Sequence, residues 1–387
     1  MPFYMHVGDI PHKRHTQFRK PDGSLFSEQV MGTKGFSGVE AILYHHYPPT
    51  AIRGVEDLGP ARVELEEEGA LRHRHFKTAE VHAGGDVVTG RRYLLANADV
   101  ALAVCRPTEE QGYFYRNGQG DELLFVHEGE GHLETTFGIL PYRRGDYLYV
   151  PIGCTYRLVS SGGQTRLFVI ESTGEITTPR RYRNEHGQLL EHSPYCERDI
   201  RPPVTLEPHA ERGDFEVRVR AHGRMTRHIL DHHPLDVVGW DGYLFPFAFN
   251  IEDFEPITGR IHQPPPVHQT FQGTNFVVCS FVPRLFDYHP LGIPAPYNHS
   301  NVESDEVIYY VDGNFMSRKG IAEGSITLHP AGMPHGPHPG TVEASIGKEK
   351  TEELAVMIDT FRPLAVAREA LTYEDPAHVY SWSDRSR

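Results

Sequence analysis

Short runs in which apolar and polar residues alternate recur along the chain, and no stretch sustains helical heptads. Leu25-Phe26-Ser27-Glu28-Gln29-Val30 and Ala41-Ile42-Leu43-Tyr44 predict two edge strands. Between residues 61 and 104, segments such as Ala61-Arg62-Val63-Glu64-Leu65 and Tyr93-Leu94-Leu95-Ala96 suit half-buried strands. The stretch from Thr177 to Pro234 reads as loop-rich, with Asn184-Glu185-His186-Gly187 and Pro202-Pro203 as its turn signals. Glu353 to Leu371 predicts a closing strand followed by a helix. Thirty-seven Gly and thirty Pro supply the turns that many short strands need. The pattern therefore predicts an all-β protein with few short helices.

A longer-range regularity then changes the picture. Glu122 is followed by six residues and Gly129; Gly145-Asp146 then leads to Pro151, Gly153 and Tyr156. Glu306 is likewise followed by six residues and Gly313, and Gly324-Ser325 leads to Pro330, Gly332 and His335 at the same spacings. The two copies lie about 180 residues apart, an internal duplication rather than a short-period solenoid. At equivalent places the first copy has Asn117 and Tyr156 around Glu122, and the second has His299 and His335 around Glu306. An amide and a phenol are poor ligands for a divalent transition metal, whereas imidazole and carboxylate suit it. The second copy is expected to hold a metal through His299, Glu306 and His335, and the first to be structural. Two imidazoles and one carboxylate on one face of an ion match the open-sided sites of non-haem Fe(II) oxygenases.

Charge and cysteine usage narrow the class. Lys and Arg number 38 against 52 Asp and Glu, a net charge of −14 that argues against nucleic acid or an anionic membrane as partner. No apolar run approaches the ~20 residues of a membrane span, and Met1 to Pro49 lacks a signal-peptide core. The scattered cysteines Cys105, Cys154, Cys196 and Cys279 fit a reduced cytoplasmic compartment without a disulfide framework. The basic cluster His12-Lys13-Arg14-His15 reads as a solvated arm against a neighbouring subunit in preference to an anion site. With 25 histidines in the chain, His45-His46, His73-x-His75, His192, His209, His222 and His228 receive no special role, since no third ligand sits beside them.

The doubled motif resembles that of the cupin superfamily, small antiparallel jelly-roll barrels. The run Asp236-Val-Val-Gly-Trp-x-Gly242 with Pro246, Asn250 and Phe254, together with Pro296-Tyr297-x-His299-x-Asn301 and Pro334-His335-Gly336-Pro337, is similar to signatures of the homogentisate dioxygenases. Leu25 to Val30 with Gly32 resembles that family's N-terminal pattern. The resemblance implies two jelly-roll (cupin) barrels in tandem: residues 1–200 a degenerate cupin with an N-terminal arm, 201–240 a linker, and 241–387 the metal-binding cupin. It further implies Fe(2+), cleavage of homogentisate to maleylacetoacetate in tyrosine and phenylalanine catabolism, and a homo-oligomer such as a hexamer.

Residue by residue, the resemblance carries metal ligation onto His299, Glu306 and His335. The family's acid follows its first histidine by six residues, which is Asp305 here; Glu306 is preferred because its spacing to Gly313 repeats that of Glu122 to Gly129. His262 aligns with the family's acid/base histidine, and an imidazole with an ordinary pKa of ~6.5 suits a phenolic proton. His268 competes for that role. His329 matches a second pocket histidine that meets substrate or oxygen, with His338 behind it, and Tyr297 lies beside the first ligand. Two residues past Gly313 the family has a Tyr that contacts the substrate carboxylate; here the run is Gly313-Asn314-Phe315. Asn314, Arg318 or Lys319 is then expected to substitute, or the substrate is gentisate or another hydroquinone. A bicupin that binds a small molecule without turning it over is the reading from a different class.

Overall fold

Alternation along the strands builds a protein of stacked antiparallel sheets; the computed structural model describes residues 3–66, 69–313, 315 and 320–383. Among these the one α-helix is Thr341–Ser345, and the other helical pieces are short 3₁₀ turns. All-β is the observed class. The Glu353–Leu371 prediction is met by strand Leu354–Thr360, but its helix is the 3₁₀ turn Arg368–Tyr373. Ser27–Gly32 is an edge strand as expected; Glu40–His45 is interior, between Ser27–Gly32 and Val237–Gly242.

Two sheets position the duplicated motif. An eight-stranded sheet has Asp121–Glu128 at its centre, between Asp146–Val150 and Arg166–Ser172. A six-stranded sheet has Asp305–Asp312 between Ser325–His329 and Leu354–Thr360. The registers correspond: Glu122 lies opposite Val150 and Glu171, and Glu306 lies opposite His329 and Asp359. The duplication visible in the motif spacing is therefore also a duplication of strand pairing. Its glycines explain themselves at one pair of positions. Gly129 and Gly313 have φ of 108° and 100°, the left-handed region open to glycine. A Cβ on Gly313 would stand 2.0 Å from the Glu352 carbonyl oxygen.

Residues 212–232, inside the stretch read as loop-rich, form two of the longest strands, Arg212–Ala221 and Arg224–His232. The local signal was present: Phe215, Val217 and Val219 alternate with Glu216, Arg218 and Arg220. The charged half of that alternation and the flanking prolines obscured it. The first of these strands adds in parallel to Phe114–Asn117, and the second pairs with Ile52–Pro60.

Aromatic residues lock the two central sheets together. Phe168 stacks on Tyr309 at 4.6 Å and 18°, and Tyr147 meets Phe271 edge-on at 5.5 Å. The Tyr147 hydroxyl also lies 2.9 Å from Ser280 Oγ. All four rings are buried in one core cluster. Each such burial contributes about 1.5–3 kcal/mol, enough that the strand bearing Glu306 sits on a rigid support. No helix among the described residues is long and apolar enough to cross a membrane.

Candidate metal centre

Glu306 is the second residue of its strand, and its carboxylate is buried among three imidazoles. Oε2 lies 3.5 Å from His299 Nε2, and Oε1 lies 3.4 Å from His335 Nε2 and 2.8 Å from His329 Nδ1. His299 and His335 are fixed to each other by two backbone hydrogen bonds, each amide donating to the other's carbonyl at 2.8 Å. Their Nδ1 atoms face backbone carbonyls, His299 that of Tyr297 at 3.3 Å and His335 that of Met333 at 3.0 Å. A carbonyl partner requires Nδ1 to carry the proton, so each ring presents a bare Nε2 toward Glu306. This is how metal-ligating histidines are oriented.

One donor atom each from His299, Glu306 and His335 lies within 4.8 Å of the others. Adjacent donors at about 2.1 Å from a common ion stand about 3 Å apart, close to the 3.4–3.5 Å found here. His335 Nε2 is buried without a hydrogen-bond partner, an atom that a cation would satisfy. Burial alone would raise the Glu306 pKa; the three imidazoles around it, His299, His329 and His335, outweigh burial and hold the carboxyl well below the ordinary range. The residues present fit a divalent metal.

Asp305, the competing acid, points elsewhere. Its Oδ1 accepts from the Ala331 amide and its Oδ2 from the Leu364 amide, both at 2.7 Å. Asp121 does the same in the first copy, accepting from the amides of Ile152 and Ile176. The acid one residue before each glutamate is a structural tie.

A cavity of about 450 Å³ opens on the triad, with His299 and Glu306 on one wall and His262, His268 and Arg284 on others. That volume suits a single-ring ligand. His262 is exposed, its Nδ1 3.6 Å from Asp287 Oδ2, and its ring meets Tyr297 at 5.0 Å. Tyr297 in turn lies edge-on to His299 at 5.9 Å. His268 is buried, and burial pushes its imidazole down to about 3.

A sequence profile described as "Homogentisate 1,2-dioxygenase N-terminal" matches residues 79–251. A protein of Saccharolobus solfataricus named a "putative dioxygenase" is 42% identical over 385 residues, covering 99% of each chain. Homogentisate 1,2-dioxygenases of Rhodopseudomonas palustris and Nitrobacter hamburgensis are 26% and 27% identical over 70% of this chain. The chain belongs to the homogentisate 1,2-dioxygenase family. It spans only 61% of the length of each of those two enzymes.

Other family positions fall as follows. His329 is fully buried, stacked on His335 at 4.4 Å, and its Nδ1 faces Glu306. It supports the carboxylate and does not line the cavity, so the expectation that it meets substrate is not matched by its position. His338 is also buried, with Nε2 2.8 Å from Ser381 Oγ and its ring on Trp382 at 4.5 Å. Phe315 packs edge-on against Tyr310 at 4.8 Å in a small apolar cluster. Asn314, Arg318 and Lys319 lie outside the described residues.

Three contributors escaped the sequence reading. His73 packs 5.5 Å from His329, 6.0 Å from His335 and 5.2 Å from Trp382, while its Nε2 faces the Pro334 carbonyl at 3.1 Å. The His73-x-His75 pair was the available signal, set aside because its partners are some 260 residues away. Trp382 donates from Nε1 to the Gly336 carbonyl at 3.0 Å. Asp359, opposite Glu306, has its carboxyl pushed up to about 7 by burial and by the Glu306 charge.

Proposed function

We propose that this chain is an Fe(II)-dependent ring-cleaving dioxygenase that converts homogentisate and O2 to maleylacetoacetate, as in tyrosine and phenylalanine breakdown. The observation that carries the reading is a buried carboxylate on which two imidazole Nε2 atoms converge beside a single-ring cavity, in a chain of this family. His299, Glu306 and His335 would hold the metal, leaving the cavity side open. Bound Fe(II) supplies the electronic coupling between an electron-rich ring and O2.

The chain's own residues do the rest. His262, steered by Asp287, takes the phenolic proton at its free ring nitrogen. His329 and the two backbone carbonyls keep the ligand atoms aimed. Ile308 and Met357 make part of the cavity wall apolar, which strengthens charge interactions at the reacting centre. The reading includes a cytoplasmic setting, supported by four unpaired cysteines, and a homo-oligomer, as family membership suggests.

A second reading, gentisate or another hydroquinone as substrate, is favoured by one observation: Phe315 cannot offer the hydrogen bond that the family's Tyr offers. Oxygen uptake by the iron-loaded protein, measured with homogentisate and with gentisate, tests both. Uptake with homogentisate and a ring-opened product supports the first reading; uptake with gentisate alone replaces it. No uptake with either leaves a binding protein.

A further inference from the structure

The cavity wall beyond the triad carries a cation that, among the described residues, no carboxylate contacts. Arg284 opens the two-residue strand Arg284–Leu285, paired with Lys350–Thr351, and lines the same cavity as Glu306 and His299. The guanidinium donates from Nη1 to the Val282 carbonyl at 3.3 Å. Asp287 and Glu353 act on it only through space, and burial lowers its pKa. The Asp287 oxygens accept from the amides of Gly259 and Gln263, at 2.9 and 2.8 Å. Most of the Arg284 guanidinium's five donors have no partner among the described residues and are open to an anion entering the cavity.

His268 stands at the same corner. Its ring lies 4.8 Å from the Phe281 ring, over which the Arg284 guanidinium carbon sits at 5.6 Å. His268 Nδ1 is buried without a hydrogen-bond partner. Arg260 and Lys348 also line the cavity but are exposed, where water competes for any anion.

We propose that Arg284, with His268 beside it, receives the anionic group of the substrate, so that the cavity takes aromatic carboxylates in preference to neutral phenols. The planar guanidinium fork matches a carboxylate with two parallel hydrogen bonds. The metal triad and the cation then hold one small ring between them. This deepens the dioxygenase reading and rests on it for the identity of the substrate, though not for the binding itself.

Anaerobic calorimetric titration of the metal-loaded protein with phenylacetate and with 2-phenylethanol, its neutral analogue, tests the assignment without turnover. The wild-type chain is expected to bind the anion at least about 30-fold more tightly than the alcohol. Arg284→Gln should weaken phenylacetate on the order of 100-fold and leave 2-phenylethanol unchanged, with Arg284→Lys in between. Equal affinity of the wild-type chain for the two probes overturns the proposal, and that comparison needs no variant. Unchanged phenylacetate affinity in Arg284→Gln also overturns it, since an anion held by the metal would behave so. Absence of oxygen uptake with homogentisate would sink the substrate reading and leave this binding difference standing.

Discussion

Glu122 and Glu306 occupy corresponding places in two strands of matching register, and the chain neutralises them in opposite ways. Glu122 is fully buried and receives Arg91 Nη1 on Oε1 and the Tyr156 hydroxyl on Oε2, both at 2.6 Å. Asn117 Nδ2 adds a third donor at 3.2 Å. Arg91 bridges on to Glu171, which also pairs with Arg220. Burial alone would lower the Arg91 pKa, but Glu122, Tyr156 and Glu171 hold it well above its ordinary value. The first centre thus contains its own cation. The second has imidazoles instead, and across from Glu306 the Asp359 carboxyl has a buried oxygen without a partner, where Glu171 has two arginines. The same β framework is closed by a guanidinium in one place and left for a metal in the other.

The two centres should differ most at Glu306. Glu306→Gln should lower oxygen uptake at least about 1000-fold, because the amide neutralises the charge that holds the ion; uptake within tenfold of wild type would end the metal reading. The first centre should respond in stability instead. Arg91→Met leaves the buried Glu122 without a cation and should cost about 3–5 kcal/mol in denaturant unfolding, while Arg91→Met combined with Glu122→Leu recovers part of that loss. If Arg91→Met is neutral, the guanidinium is not what closes the first centre.

Acid should separate the centres further. His127 is buried between the Tyr309 hydroxyl and Glu323, and burial pushes its pKa from 6.5 down to about 4. Between those values the unfolded chain binds a proton that the folded chain does not, so stability falls as pH drops from about 6.5 to about 4. The loss is about 2 kcal/mol and is absent in His127→Gln. Arg91, held well above its ordinary pKa, keeps its charge throughout that window. The smallest effect is expected at Asp305. Asp305→Asn should lose about 1–2 kcal/mol in thermal unfolding as its two amide contacts weaken, with metal content unchanged.

Much of the second centre was legible because its residues sit inside motifs with fixed spacing. His299 and His335 bracket a single strand pair, and the glutamate-to-glycine interval separated Glu306 from Asp305 before any coordinates. The first centre was half legible. Asn117 and Tyr156 marked the loss of ligands, but Glu122 looked isolated because Arg91 lies 31 residues upstream with no motif around it. His73, despite its His73-x-His75 spacing, and Trp382 could not be placed for the same reason, since they reach the site from distant parts of the chain by sheet pairing and ring packing. Residues 212–232 were misread because charged residues on the open face of a strand look like loop composition.

The difference between the two centres comes down to one candidate metal site against one guanidinium-closed site. Metal content per chain, measured by elemental analysis after reconstitution with Fe(II) and removal of loose ions, tests it most directly. One ion per chain is expected in the wild type and in Glu122→Gln, and none in Glu306→Gln. An ion retained in Glu306→Gln, or lost in a folded Glu122→Gln, would contradict it.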